Sequence, residues 1–310
     1  MDCHLVKAVY LPSKLDAVKF LVGAILALCK ISPLSRFHFV DSFSFIIQTS
    51  LPSAVNEIFD GRFGKADLVL IEEFLSGEEM SYFIVSDGKT FKFFQTAQDH
   101  KRVGEKDTGP NTGGMGAYSP SRLNNPELEK KINEKIINPT LKGLSELGTK
   151  YIGFLYIGLM IVKGEPYLIE YNVRMGDPEC QTILPLLKTD FGEIINACCS
   201  ENLSSIDIEW HNKKSLCVVL CAKGYPNDYK KNLEIRGLKK IKIFDDQFIF
   251  HAGTKIYKEK YFSNGGRVLN IVSVSNTFRE SKNIVYKILK RIDWRNGFYR
   301  EDIGYKVIDT

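Results

Sequence analysis

Between Gln98 and Pro120 the chain reads QDHKRVGEKDTGPNTGGMGAYSP, and few folds accommodate such a run. It opens on alternating charge at Asp99, His100, Lys101 and Arg102 and continues into Gly109, Gly113, Gly114 and Gly116. Glycines this close together allow positive φ and let the backbone approach a ligand with no Cβ in the way. Successive N–H groups in such a loop form an anion-binding concavity, and Lys101 and Arg102 place full positive charge beside it. Asn111 and Thr112 supply polar tips that orient a bound group. An ordered surface turn with a solvated charged flank would carry the same residues. Neither G-x-x-x-x-G-K-[ST] nor G-x-G-x-x-G occurs in the stretch, so the standard phosphate-loop patterns leave the choice open.

A chain of 310 residues buries a large core and divides into two or three compact units. The net charge of +5 is mild and no run of five basic residues occurs, so nucleic-acid binding has no support. The seven cysteines are odd in number and lack framework spacing. Cys217 and Cys221 lie in SLCVVLCA, which reads as a buried strand with no histidine placed to complete a zinc site. Reduced core thiols in a cytoplasmic protein account for them. Near the N-terminus, Phe20–Cys29 is apolar over 10 residues, half of the roughly 20 needed to cross a membrane. It reads as a buried helix rather than a signal peptide. The aromatic, Ser-rich segment Arg36–Leu51 yields no turn logic and no functional reading.

From residue 52 onward the pattern is clearer. Ala54–Phe59 fits the end of an amphipathic helix, and LVLIEEF (Leu68–Phe74) a buried strand emerging into a turn at Ser76-Gly77. Asp87-Gly88 between Met80–Val85 and Lys89–Phe94 signals a hairpin, as does Lys163-Gly164 between Tyr151–Val162 and Pro166–Asn172. Pro126–Leu147 is helical, with charge pairs on its outer face. VRMGDPECQTILPLL reads as loop then helix. After about residue 205 the texture changes to short strands (SLCVVLCA, KIKIFDDQFIFHA, GGRVLNIVSV) and a last helix over Phe278–Ile292. No repeat or low-complexity tract occurs.

Glu170 and Asn172 stand two apart on a predicted strand and so share a face. A carboxylate and an amide oxygen there suit a hard cation such as Mg²⁺ that shares its shell with substrate phosphates. Arg174 adds a cation for phosphoryl oxygens and Asp177 another acid. Ordinary polar groups at a strand end would look the same. Glu72, Glu73, Phe74 and Leu75 end a strand where free backbone groups can pair with a purine edge, and Glu78 or Glu79 can accept from ribose hydroxyls. A solvated acidic turn is the competing reading. Nucleophilic catalysis finds no support: the serines lack an elbow motif and His100 lacks a relay.

Taken together, VLIEEFLSGEE, QDHKRVGEKDTGPNTGGMGAYSPS, GFLYIGLMI, LIEYNVRMGDPECQ, LCAKGYP, FHAGT, NGGRVLNIV and FYREDIGYK resemble the phosphoribosylamine–glycine ligase family of the ATP-grasp superfamily. The resemblance runs from about Ser53 to the C-terminus. It implies an α+β, ATP-grasp fold: an unmatched segment over 1–51, part of the small lobe over 52–75, the large lobe over 76–205 and a small α+β domain over 206–310. It implies ATP between two lobes, with adenine against Glu72–Leu75, ribose near Glu79, and Arg102 and Asn111 toward the phosphates. Glu170 and Asn172 would hold Mg²⁺ or Mn²⁺. Asp99, Gly113 and Gly114 would meet substrate, with Arg174 and Asp177 catalytic. The implied reaction activates glycine as an acyl phosphate, which the amine of 5-phosphoribosylamine attacks to give glycinamide ribonucleotide, ADP and phosphate. Such chemistry needs positioning and charge neutralisation rather than an enzyme nucleophile. A cytoplasmic monomer with small-molecule partners, no nucleic acid and no membrane is the matching expectation.

Residues 1–51 depart from the family pattern. A K-A-D-G-L-A-A-G-K-G-type segment, whose lysine meets the ATP phosphates, is not found there, and Lys7, Lys14, Lys19 and Lys30 sit in no glycine-rich context. The expectation drawn from this is an N-terminally truncated or frame-disrupted ligase, with an inactive nucleotide-binding remnant as the alternative to an active enzyme.

Overall fold

The computed structural model describes residues 4–9, 44–46, 55–56, 58–61 and 68–308. The expected helix at Phe20–Cys29 and most of Arg36–Leu51 lie outside the described residues. Two compact units are present: residues 1–77 with 137–150, and residues 78–136 with 151–310.

In the first unit, β1 (His4–Val9), β2 (Ser44–Ile46) and β3 (Leu68–Glu73) form an antiparallel sheet in the order β2-β1-β3. The apolar run read as a strand from the sequence is β3, aligned with β1 from His4↔Glu73 to Val9↔Leu68. No strand was legible at β1 or β2.

The second unit is built on a nine-stranded sheet with two smaller sheets beside it, and its strands are as follows. First come β4 (Glu78–Asp87) and β5 (Phe91–Asp99), a small hairpin of β6 (Arg102–Gly104) and β7 (Thr108–Asn111) standing apart from the main sheet, and β8 (Gly116–Ser119). Next come β9 (Ile152–Val162), β10 (Glu165–Asn172) and β11 (Lys214–Ala222). Then follow β12 (Glu234–Ile235), β13 (Gln247–His251), β14 (Thr254–Tyr257), β15 (Lys260–Ser263), β16 (Arg267–Ser275) and β17 (Gly297–Phe298). The main sheet runs β10-β9-β4-β5-β8-β11-β16-β13, with β17 beside β11, while β12-β15-β14 pair separately. Strand β8 bonds to β11, which joins residues on both sides of the boundary expected near 206 in one sheet.

Local chemistry explains the turns. Asp87, almost fully buried, accepts from the N–H groups of Lys89 (2.9 Å) and Thr90 (2.7 Å) and, across the chain, Leu203 (2.9 Å). Asp87 N–H itself bonds to Thr90 O, so the loop residues are Gly88 and Lys89, one position later than the sequence suggested. Gly88 takes φ +84°, which only glycine adopts without strain. At the second hairpin Lys163 (φ +51°) and Gly164 (φ +79°) turn the chain as expected for a two-residue loop with both φ positive.

Strand β11 is buried from Ser215 to Ala222. Each buried Leu or Val there contributes about 1.5–3 kcal/mol relative to exposure, which favours its place between β8 and β16 rather than at an edge. Burial pushes the Cys217 thiol far up and the Cys221 thiol to about 12. Both are core thiols, as the run SLCVVLCA suggested.

Helices α1 (Pro126–Ile132) and α2 (Asn138–Glu146) are joined through a π-helical turn at Asn133–Ile137, in the region expected to be one long helix. Asn125 caps α1, accepting from Leu128 N–H at 3.0 Å, with Pro126 at the first helical position. The remaining helices are α3 (Glu179–Ile183), α4 (Phe191–Cys199), α5 (Phe278–Leu289) and α6 (Tyr305–Ile308). Helix α5 packs on β16 and β11 and begins with a capping box between Thr277 and Glu280. No helix among the described residues is long and apolar enough to cross a membrane.

Candidate functional site

The chemistry-bearing residues of the second unit converge on Lys101, just past the end of β5. Its ammonium lies 3.1 Å from Glu79 on β4 and 3.9 Å from Glu170 on β10. Burial opposes that charge, yet the neighbouring Tyr156 hydroxyl and the carboxyls of Glu79 and Glu170 outweigh it and hold the ammonium well above its ordinary pKa. The meeting depends on a bulge in β10. Leu168 pairs with Leu159 but Glu170 pairs with Gly158, leaving Ile169 extra. The bulge re-aims the strand end, and Gly158 makes room for Glu170, whose Cγ would lie 3.0 Å from any added Cβ. Beyond the bulge Glu170 and Asn172 share a face of β10.

Two further acids sit beside Lys101. Asp99 ends β5 with Oδ1 buried and without a hydrogen-bond partner. Burial and the adjacent Glu179 carboxyl hold Asp99 well above the ordinary carboxylate range. Glu179, at the start of α3, is itself raised by burial and accepts from the Ser81 hydroxyl at 2.9 Å. Ser81, Asp99, Lys101, Tyr156 and Gly158 help to line a small cleft.

The glycine loop borders this cleft. Gly114 takes φ +112°, and a Cβ there would stand 2.5 Å from Pro178 Cδ and 2.8 Å from Asp99 Oδ1. Glycine is therefore required. Gly113 N–H donates to the Tyr225 hydroxyl at 2.8 Å, and its carbonyl accepts from Arg267. Arg267, at the start of β16, also donates to Asp177 O (2.5 Å) and pairs with the Asp177 carboxylate at 3.2 Å. The loop, the segment before α3 and β16 are thus tied at one guanidinium.

The expected residues distribute as follows. Glu79, Asp99 and Glu170 meet around Lys101, and Gly113 and Asp177 meet at Arg267, with Gly114 against Asp99. Arg102 and Asn111 are cross-strand partners on β6 and β7, Arg102 donating to Gly109 O. Arg174 is exposed and its guanidinium donates to Met175 O at 3.0 Å. Glu72, Glu73, Phe74 and Leu75 belong to the first unit, where Glu73 is exposed and Phe74 and Leu75 are half-buried. The side chain of Glu72 lies outside the described residues. Sequence reasoning assigned no site role to Glu179, Tyr225 or Arg267 and saw Lys101 only as charge beside a loop. Glu179 and Arg267 do lie in the runs VRMGDPECQ and NGGRVL that carried the resemblance.

Comparison with known proteins places this geometry in a family. Residues 48–180 match the phosphoribosylglycinamide synthetase ATP-grasp (A) domain, and residues 215–306 match the C domain of the same synthetase. A phosphoribosylamine–glycine ligase of Brucella melitensis is 45% identical over 257 residues, covering 83% of this chain and 60% of that protein. The chain thus spans about 60% of the length of that curated relative. The crystal structure of a phosphoribosylamine–glycine ligase from Thermotoga maritima superimposes with a TM-score of 0.77 at 30% identity, over 97% of this chain and 68% of that one. The biotin carboxylase domain of a 2-oxoglutarate carboxylase from Hydrogenobacter thermophilus shares the fold alone (TM-score 0.58, 14% identity, 80% of this chain and 52% of that one). The chain has an ATP-grasp fold and belongs to the phosphoribosylglycinamide synthetase family.

Proposed function

We propose that this chain serves the ATP-dependent ligation of glycine to 5-phosphoribosylamine, the reaction for which its relatives are named. The observation that carries the proposal is the grouping of Asp99 and Lys101 in one small cleft, with Glu170 paired to Lys101 and Gly114 of the glycine loop packed against Asp99. In the reaction a glycine carboxylate oxygen bonds to the γ-phosphorus of ATP and ADP departs. The amine nitrogen of 5-phosphoribosylamine then attacks the acyl carbon, the carbon–oxygen bond to phosphate breaks and the nitrogen loses a proton. No protein nucleophile takes part. The site's work is orientation and charge neutralisation.

Each residue has a part in that work. The buried, unpartnered Asp99 Oδ1 is available to the amino group of glycine. Arg267, fixed by Gly113 and Asp177, supplies a cation beside the loop for the carboxylate or the phosphoryl oxygens it acquires. Asp177 orients Arg267, and Arg174, exposed, is available to phosphoryl oxygens. Arg102 and Asn111 face the nucleotide phosphates, Glu73–Leu75 with Glu72 the adenine, and Glu79 the ribose, on the strength of the resemblance. The fold neighbour from Hydrogenobacter thermophilus carries MgADP, which agrees with a nucleotide here.

Among the described residues no three His, Cys, Asp or Glu side chains gather as a metal cage. Glu170 and Asn172 offer two oxygen donors on one strand face, a set that fits Mg²⁺ or Mn²⁺ with the rest of the shell from phosphate and water. When bound, the ion neutralises phosphate charge and polarises the γ-phosphoryl group.

The test is ADP release by the 310-residue chain supplied with ATP, Mg²⁺, glycine and 5-phosphoribosylamine. The expected result is release that requires both glycine and the amine and is lost in Glu170→Gln. ADP release indifferent to glycine, or none under any combination, contradicts the proposal.

A further inference from the structure

The C-terminal run FYREDIGYK takes no part in the site described above, yet it holds the hairpin that presents Arg102 and Asn111. That hairpin, β6–β7 with its tip at Glu105–Asp107, has only two strands and is half-buried at best. Such a hairpin is marginal by itself in water. Its tip also places two consecutive non-glycine residues, Lys106 (φ +53°) and Asp107 (φ +55°), in the left-handed region, a conformation that persists only where surrounding contacts over-determine it.

Those contacts come from Arg300. Its side chain is 1% exposed, an extreme for an arginine, and it donates to Arg102 O at 2.9 Å and to Asp107 Oδ1 at 2.9 Å. A second carboxylate, Asp302, engages the same guanidinium at 2.8 and 2.7 Å. Asp302 also accepts from Lys106 N–H at 2.6 Å, and Tyr305 donates to Asp107 at 3.0 Å. One buried guanidinium therefore grips both the first strand of the hairpin and its strained tip. The carboxylates keep it ionised, raising Arg300 above its ordinary range against the effect of burial.

We infer that Arg300 is a positioning residue: through Arg102 O and Asp107 it fixes the β6–β7 hairpin so that Arg102 and Asn111 meet the triphosphate of a bound nucleotide. The role of Arg102 rests on the function proposed above, and the grip on the hairpin does not. Lysine cannot reproduce the fork that reaches a carbonyl and two carboxylates at once, so Arg300→Lys removes the grip while keeping the charge.

Two measurements on the full chain separate the possibilities, each with far-UV circular dichroism to verify folding and Asp302→Asn as a milder second variant. Hydrogen exchange over 102–111 reads the grip directly. Exchange there is expected to accelerate at least about tenfold in Arg300→Lys, the equivalent of about 1.4 kcal/mol, and less in Asp302→Asn. Exchange unchanged in both variants overturns the inference, whether or not nucleotide binds. Affinity for ATP–Mg²⁺ reads the function of the grip: about tenfold weaker binding in Arg300→Lys is expected, with a distinctly smaller loss, the share carried by Asn111, when the same change is made in Arg102→Ala. An equal loss in both backgrounds means that Arg300 does not act through Arg102, and overturns the inference. Wild-type chain that fails to bind ATP–Mg²⁺ refutes the nucleotide reading and with it the role given to Arg102.

Discussion

Replacing Lys101 with methionine exposes the electrostatic design of the cleft. The ammonium stands 3.1 Å from Glu79 and 3.9 Å from Glu170. At an effective dielectric constant of about 20, contacts at these separations are worth roughly 4–5 kcal/mol each before other effects. Glu79 is 45% exposed, so solvent screens most of its share. Glu170 is 27% exposed and keeps more, reduced by the cost of desolvating the ammonium. A net loss of about 2–3 kcal/mol follows for Lys101→Met, just below the roughly 3–5 kcal/mol for breaking a fully buried pair, because both partners keep some exposure. Both tryptophans, Trp210 and Trp294, lie in the second unit, so their fluorescence in a urea titration reports that unit alone. The same replacement in a Glu170→Gln background should cost at least about 1 kcal/mol less, because one partner is already gone. A loss below about 0.5 kcal/mol, or one identical in the two backgrounds, would refute the pairing as the organising contact of the cleft.

Two further outcomes follow from the same geometry. Gly114→Ala forces a Cβ to within 2.5 Å of Pro178 at φ +112° and should destabilise the second unit by about 2–4 kcal/mol; unfolding within about 0.5 kcal/mol of the native chain contradicts the close approach. His100 is pushed down to about 4 by burial and by the Arg300 charge, whereas the unfolded imidazole titrates near 6.5. Between those values the unfolded chain binds the proton that the folded chain refuses, so stability present above pH 6.5 falls as pH drops toward 4, by about 3 kcal/mol in all. A His100→Gln variant should lack that part of the acid sensitivity, and an unchanged profile would count against a neutral buried imidazole.

The fold was legible where local chemistry decides it. Lys163-Gly164 turns because a two-residue loop with positive φ selects such residues, and Asp87-Gly88 marked its hairpin for the same reason. There the displacement by one residue reflects Asp87 acting as the acceptor that closes the turn rather than as a loop residue. The run SLCVVLCA announced a buried strand because nothing polar interrupts it. By contrast, β1 and β2 were illegible, since their sequences alternate poorly and β1 finds its partners on β3 about 60–70 residues along the chain, with β2 on its other edge.

The candidate site was legible in its motifs but not in its wiring. Glu170 and Asn172 announced themselves by strand spacing, and the glycine loop by composition. That Lys101 pairs with Glu79 and Glu170 depends on the order β10-β9-β4-β5 and on the bulge at Ile169, which no local pattern encodes. Arg267 reaches Gly113 only because β16, β11, β8 and β5 are neighbours in the sheet, 154 residues apart along the chain. Glu179 carried no role in the sequence; burial raises its carboxyl and that of Asp99, and the Glu179 charge raises Asp99 further.

In the proposed function nucleotide and metal meet at Glu170, and calorimetric titration of ATP–Mg²⁺ into the 310-residue chain and its Glu170→Ala variant tests that most directly. Saturable binding by the native chain that the variant loses is the predicted result. Binding of equal strength in both, or heat from neither at millimolar nucleotide, would contradict it.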